Sequence, residues 1–208
     1  MKKIIFILIV FQFLSCIKKE NRLIEINETS NDTIYTRLWI NYPSVEKPNK
    51  SIEYYISSKT DTIFNQTKVY KNGILDTLKS EFYELEIYKT KKPNLYKGKI
   101  ILHSRFDKLQ INDMNKRKLQ FLYLEFNDSL NLRSVSSKSS NQLEFEFINT
   151  KNNHLTGVLI QDVFRDTLIN NEKLLNYGKT RILVDTDNET DNLFISSHQF
   201  LKEKRLKK

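Results

Sequence analysis

Residues 82–88 (FYELEIY) carry the pattern that decides the fold of this 208-residue chain. The apolar side chains of Tyr83, Leu85 and Ile87 alternate with two glutamates, which is the period of a half-buried strand. Residues 143–147 (LEFEF) repeat the same alternation. Two such segments predict an antiparallel sheet with one face on a core and one face in water.

Similar short segments recur along the chain, about one every twelve residues, and no long helical period interrupts them. The predicted fold is therefore all-β, an antiparallel sandwich of the immunoglobulin-like or a related type, with a β-barrel as the alternative. Residues 119–126 are apolar on both faces and belong in the centre of a sheet. The other candidate strands are 34–42, 52–57, 68–71, 74–77, 96–103, 155–164, 181–185 and 193–201.

The dipeptide Asn72-Gly73 is the strongest turn pattern in the sequence. A type I′ turn requires positive φ at both central positions, and asparagine and glycine accept it. It predicts a hairpin with Tyr70 opposite Leu75 and Lys68 opposite Thr77. A second hairpin is predicted at residues 152–153, joining 143–150 to 155–164.

At most one short helix is expected. Asn170 or Asn171 would cap it, Gly178 would end it, and Leu174 and Leu175 would face the core.

The amino terminus has the parts of an export signal. Lys2 and Lys3 precede an apolar run over residues 4–13, which is too short to span a bilayer, and a small residue, Ser15, precedes Cys16. Phe13-Leu14-Ser15-Cys16 resembles the lipobox of bacterial lipoproteins, in a form similar to that of the Bacteroidota. The resemblance implies cleavage before Cys16, a diacylglycerol and an acyl chain on that residue, and stable membrane anchoring.

This resemblance sets the predicted organisation. Residues 1–15 are a lipoprotein signal peptide, 16–33 the lipidated Cys16 and a flexible tether, 34–201 a single β-rich domain, and 202–208 a basic tail. Ile17 stands where aspartate would retain a lipoprotein in the inner membrane, so the chain resembles lipoproteins of the outer membrane. The expected location is the cell envelope, on the periplasmic or the surface-exposed side.

The net charge of +9 does not describe a basic groove. The leader contributes two positive charges and the tail a net four, which leaves the body with about +3. Nucleic acid is therefore not an expected partner.

Most catalytic motifs are missing from the sequence. Four glycines form no phosphate loop, dinucleotide fingerprint or nucleophile elbow, and one cysteine supports neither a disulfide nor a thiolate zinc site. No cofactor is expected. The three histidines are far apart in sequence and are not expected to share a site: His103, His154 and His198.

Three groups of residues could form a functional site: the paired glutamates, a set of tyrosines near lysines, and a run of alternating acids. The pairs Glu84/Glu86 and Glu144/Glu146 suit acid–base work on a glycan, although a solvated sheet face explains them better. Lysines near five tyrosines permit a carbohydrate- or anion-binding face, although packing in the core is preferred. These tyrosines are Tyr54, Tyr55, Tyr83, Tyr88 and Tyr96.

Four acids alternate after residues 181–184, as oxygen ligands of calcium do: Asp185, Asp187, Glu189 and Asp191. They do not make an EF-hand, because Thr190 stands where glycine is required and Ser196 where glutamate is required. A polar turn is preferred, so no metal is predicted and a different calcium loop is the weaker alternative.

The leading functional hypothesis is a membrane-anchored envelope lipoprotein without enzymatic activity, which binds an envelope protein or glycan or has a structural role. The alternatives are an enzyme acting on envelope polymer and a lipocalin-like carrier of a small apolar ligand. A concave cleft with two carboxylates, one of them buried, would favour the enzyme. A closed barrel with an apolar cavity would favour the carrier.

Overall fold

The computed structural model describes residues 34–44, 48–58, 61–151, 154–170 and 172–196. Cys16, the tether, His198 and the basic tail lie outside the described residues. The strands are β1 (Tyr35–Tyr42), β2 (Asn49–Ser57), β3 (Thr62–Lys71), β4 (Ile74–Leu75), β5 (Phe82–Lys89), β6 (Leu95–His103), β7 (Asn115–Phe126), β8 (Leu130–Ser137), β9 (Gln142–Ile148), β10 (Thr156–Ile169), β11 (Glu172–Asp185) and β12 (Glu189–Thr190).

These strands form three antiparallel sheets. Sheet A has the order β12-β1-β2-β3-β4, sheet B the order β5-β6-β9, and sheet C the order β11-β10-β7-β8. The all-β antiparallel sandwich is therefore confirmed. Each sheet is open at both edges, so the described strands do not close into the alternative barrel.

The main core lies between sheets B and C, where Phe121, Leu159 and Ile182 of sheet C pack with Ile100 and Phe145 of sheet B. A second cluster joins sheet A to the opposite face of β11. It contains Tyr35, Tyr55, Ile63, Leu183 and Ile195. β11 is thus covered on both faces, and for this reason its residues 182–184 are all apolar.

Two sequence predictions are confirmed by the pairing. β7 lies between β10 and β8, as its two apolar faces indicated. The Asn72-Gly73 turn joins β3 to β4, with Tyr70 opposite Leu75 and positive φ at both turn residues. β4 ends at Leu75, so the predicted pairing of Lys68 with Thr77 is wrong.

The second predicted hairpin is also wrong. β9 pairs with β6 in sheet B, whereas β10 pairs with β7 and β11 in sheet C. Residues 152–153 themselves lie outside the described part of the chain. The apolar residues of the two strands, Phe145 and Leu159 among them, belong to the same core cluster, so the strands stack across the core instead of pairing.

The predicted helix near residues 170–178 is a strand. β10 and β11 form a hairpin with pairing from Thr156↔Asp185 to Ile169↔Glu172, and this continuous ladder overrides the local helical pattern. Leu174 and Leu175 are 45% and 62% exposed, so they do not face the core as predicted. A helical turn lies instead at residues 194–196, so the predicted strand 193–201 is wrong over its described residues.

The sequence analysis missed β8. Its residues lie at an edge of sheet C and are mostly exposed on both faces. Its apolar alternation is limited to Leu130 and Leu132, which is too short to indicate a strand.

Candidate functional site: a polar core and the cleft beside it

The four acids of the loop after β11 do not share a site in the structure. Asp185 is 3% exposed and points into the protein, whereas Glu189 and Asp191 are exposed. Asp187 pairs with Nδ1 of His154. Among the described residues, no group of three His, Cys, Asp or Glu side chains could hold a metal ion.

Asp185 is held by three donors. The hydroxyl of Tyr55 donates to Oδ2 at 2.6 Å, Nδ2 of Asn192 donates to the same oxygen at 2.8 Å, and the hydroxyl of Thr190 donates to Oδ1 at 2.8 Å. Burial raises the pKa of Asp185 from 3.8 to about 6, and these hydrogen bonds oppose the rise. Burial also raises the pKa of Tyr55, which therefore remains a donor.

A guanidinium occupies the inside of the acidic loop. Nη1 of Arg37 donates to the carbonyl oxygens of Asp185 and Asp187 at 2.6 and 2.9 Å. Nη2 of Arg37 donates to Oε1 of Glu53 at 2.6 Å. The carbonyls that would complete a cation site in this loop thus already bind a cationic side chain.

Glu53 is fully buried and is paired on both oxygens. Oε1 accepts from Arg37, and Oε2 accepts from Nδ2 of Asn65 at 2.7 Å and Nε2 of Gln66 at 2.6 Å. A β-bulge between β2 and β3 places these two adjacent amides on the same side of the sheet. The polar core therefore has a partner for each charge, as burial requires.

Sequence reasoning missed Arg37, Glu53 and the two amides. The missed pattern was in β2, where Ser51, Glu53 and Ser57 are buried and the alternating residues Ile52 and Ile56 are partly exposed. In a strand whose apolar and polar residues alternate, the apolar side ordinarily faces the core. In β2 the polar side faces the core instead.

A cleft of about 580 Å³ lies beside this polar core. Its apolar residues are Ile34, Leu124, Phe126, Leu130, Leu155 and Leu193, and its polar residues are Lys151, His154, Thr156, Asp185, Thr186, Asp187, Glu189, Thr190 and Asp191. Leu130 and Leu193 are 45% and 44% exposed, so apolar surface is available to a ligand. The acids give the rim a negative charge.

The cleft meets the geometric condition stated for an enzyme, because it holds several carboxylates and Asp185 is buried. The hydrogen bonds of Asp185 weigh against a catalytic role, since three donors occupy its two oxygens. Among the described residues that line the cleft, Phe126 is the one Phe, Tyr or Trp, and Nζ of Lys151 lies 5.6 Å from the centroid of its ring. A sugar that stacked on this ring would have to displace the lysine.

The remaining candidate acids and histidines are surface residues or have local partners. Glu84, Glu86, Glu144 and Glu146 are exposed, so the interpretation of a solvated face is confirmed. His103 stacks on Phe82 and lies 3.3 Å from Oε1 of Glu84 and 3.6 Å from Oδ2 of Asp107. His154 instead pairs with Asp187, so these two histidines are held in separate places.

The tyrosines named as a possible binding face are divided among different sites. Tyr55 is buried, Tyr83 contacts the backbone of Asp185, and Tyr96 stacks on Phe147. Tyr54 and Tyr88 lie on different sheets. The structure therefore does not bring the five rings together.

Comparison with known proteins finds no relative of this chain. The chain matches no protein-family model, no curated protein and no solved structure. No helix among the described residues has the length and apolar character needed to cross a membrane.

Proposed function

We propose that this protein is a lipid-anchored lipoprotein of the cell envelope that binds a segment of another envelope protein in the cleft beside Asp185. The observation that carries the proposal is the combination of exposed leucines and an acidic rim in one cleft. A peptide with an apolar side chain and a neighbouring lysine or arginine has the complementary chemistry.

The arrangement of the cleft supports binding over the two alternatives. Catalysis by a carboxylate pair requires a carboxyl group that exchanges protons with a substrate, and Asp185 already binds three protein donors. A glycan lacks a free aromatic platform in the cleft, because Lys151 lies over Phe126. A lipocalin-like carrier requires a closed barrel, and the described sheets are open.

The anchor is tested by Cys16→Ser. Labelled palmitate is expected to enter the wild-type chain and not the variant, and the variant is expected to leave the membrane fraction. Membrane association with unchanged labelling in the variant would contradict the lipoprotein proposal.

The cleft is tested by photo-crosslinking in intact cells. A photoreactive residue replaces Leu130, which lines the cleft, or Leu132, which is 43% exposed on the same strand but does not line it. A protein adduct is expected at position 130 and not at position 132. A glycan adduct would favour the enzyme or glycan-binding alternatives, and equal labelling at both positions would contradict a cleft-specific partner.

A further inference from the structure

Three neighbouring strands of sheet A, β1, β2 and β3, carry exposed or partly exposed apolar side chains on one side. On β1, Leu38, Ile40 and Tyr42 are 46%, 38% and 44% exposed. The register places them on the same side of the sheet as Tyr54 and Ile52 of β2. Phe64 of β3 is opposite Tyr54 and is 45% exposed. We call these six residues the outer face of sheet A.

On β1 and β2 the polar residues that form the polar core alternate with the apolar residues of the outer face. This alternation does not account for the exposure of the outer face. The inner side of the same strands carries Arg37, Glu53 and Tyr55, whose hydrogen bonds hold the sheet to β11 and the acidic loop. A solvated outer side of this kind is ordinarily polar. A contiguous exposed apolar patch is a mark of protein or membrane interaction sites.

Two lysines and one carboxylate lie on this side of the described strands. The register puts Lys50 and Lys71 at one end of the same side of the sheet. Among the described strand residues on this side, the single carboxylate is Glu189, at the opposite corner beside Thr36, and Glu189 also lines the cleft. An apolar centre with tyrosines, and with two lysines at one end, fits the interface of an anionic bilayer, where rings and ammonium groups reach the headgroups.

The size of the face argues against a second copy of the chain as its partner. Three strands of about eight residues cover about 350 Å² of sheet, from the usual rise and strand spacing. A stable protein interface buries about 800 Å² on each partner. A weak surface contact is sufficient when a lipid anchor already holds the domain near the membrane.

The number of residues between Cys16 and sheet A permits this contact. The chain enters sheet A at Tyr35, the first residue of β1. The segment between Cys16 and Ile34 spans at most about 60 Å when fully extended. The outer face of sheet A is therefore within reach of the bilayer to which Cys16 would be attached.

We propose that the outer face of sheet A lies on the phospholipid surface that holds the lipid anchor. This inference rests on the proposed anchor. It adds that the domain has a defined orientation, with sheet A toward the lipid.

Site-specific fluorescence quenching tests the contact. The chain has one cysteine, so acylation of Cys16 leaves an introduced cysteine as the single free thiol. The lipidated Phe64→Cys variant and the matched Tyr88→Cys variant, whose position on sheet B is 56% exposed, are labelled with the same dye. Each is reconstituted in vesicles of phosphatidylethanolamine and phosphatidylglycerol that contain nitroxide-labelled lipid.

Quenching is expected to be several-fold stronger at position 64 than at position 88. Ile40→Cys provides a second position on the face if Phe64→Cys lowers stability. Equal quenching at the two sides would overturn the proposal. Protection of position 64 from aqueous iodide without lipid quenching, together with concentration-dependent dimers in ultracentrifugation, would also overturn it and assign the face to a second copy.

Mass spectrometry of the peptide that contains Cys16 separates this proposal from the anchor. Acylated Cys16 with equal quenching overturns the surface contact and leaves the lipoprotein proposal intact. Unmodified Cys16 overturns both.

Discussion

Asn65 pairs with the backbone of Leu183 as a neighbouring strand would. Its Nδ2 donates to the carbonyl oxygen of Leu183 at 2.9 Å, and its Oδ1 accepts from the Leu183 amide at 2.7 Å. Nδ2 also donates to Glu53. One amide side chain thus joins β3 to β11 and to the buried carboxylate, and links sheet A to sheet C.

Replacement of this amide therefore has a large effect. Asn65→Leu is expected to lower the free energy of unfolding by about 2–4 kcal/mol, because it leaves buried partners without hydrogen bonds. Urea unfolding measures the change, with Asn41→Leu at an exposed position of β1 as the control, for which about 0.5 kcal/mol or less is expected. A loss at Asn65 no larger than the control would contradict its role as a link between sheets.

Arg37 and Glu53 form a buried ion pair, and loss of Arg37 should lower the stability more than loss of Glu53. Arg37→Met leaves the fully buried Glu53 without its guanidinium and is expected to cost about 3–5 kcal/mol. The side chain of Arg37 is 13% exposed, so in Glu53→Gln the guanidinium retains some access to water and the cost should be smaller.

The double variant Arg37→Met/Glu53→Gln completes a thermodynamic cycle. Its stability should exceed that of Arg37→Met alone, because no unpaired charge remains buried. Additive losses in urea unfolding would show that the two side chains do not interact energetically.

The sequence predicted the parts of the fold in which periodicity and burial agree. β5, β7 and β9 carry their apolar residues toward the core, and the Asn72-Gly73 turn depends on local backbone preference alone. β8 was missed because an exposed edge strand has no alternating burial. The 170–178 segment was misassigned because its strand character comes from pairing with β10, which local propensity does not report.

The candidate site was the least predictable part. The spacing makes Asp185 a calcium ligand only in the weaker alternative, and its actual environment depends on Tyr55 and Arg37, which are distant in sequence. No local feature of β2 indicates that Arg37, Asn65 and Gln66 would provide hydrogen bonds for a buried Glu53. Long-range hydrogen bonding, and not composition, decides which side of this strand is buried.

The hairpin turn supplies a test of local backbone strain. Gly73 has φ of 78°, and a Cβ built there meets no atom within 4 Å. Gly73→Val should therefore cost about 1–3 kcal/mol through positive φ alone, with a melting temperature lower by several degrees.

Gly73→Asn is the matched control, since asparagine accepts positive φ more readily. Calorimetric melting should place it between the wild type and the valine variant. Crosslinking at position 130 should be unchanged in both variants below their melting temperatures. Loss of crosslinking without a change in melting temperature would identify the turn as a contact site.

The acidic loop is expected to bind calcium weakly or not at all. The carbonyl oxygens of Asp185 and Asp187 already accept hydrogen bonds from Arg37, and both oxygens of the Asp185 carboxylate have donors. Titration calorimetry should give no heat, or a dissociation constant weaker than about 1 mM. A micromolar constant that is lost in Asp187→Asn would contradict this prediction.

Asp185 should make the protein less stable as pH rises from about 4 to 6. Burial raises its folded-state pKa from 3.8 to about 6, so in this interval the folded state binds more protons than the unfolded state. The favourable contribution is complete below the unfolded pKa and is lost as pH passes the folded pKa. The difference between these two pKa values corresponds to about 3 kcal/mol.

Asp185→Asn removes this titration, so its stability should change less between pH 4 and 6 than that of the wild type. The control is Asp191→Asn, because Asp191 is exposed and its loss should leave the wild-type slope intact. Urea unfolding at a series of pH values measures all three proteins. Glu81 and Asp107 also have raised pKa values from burial, so a residual decline of the same sign is expected in Asp185→Asn. An identical slope in wild type and Asp185→Asn would show that the Asp185 carboxyl titrates at the same pH in the folded and unfolded chains, and that its three hydrogen bonds fully offset its burial.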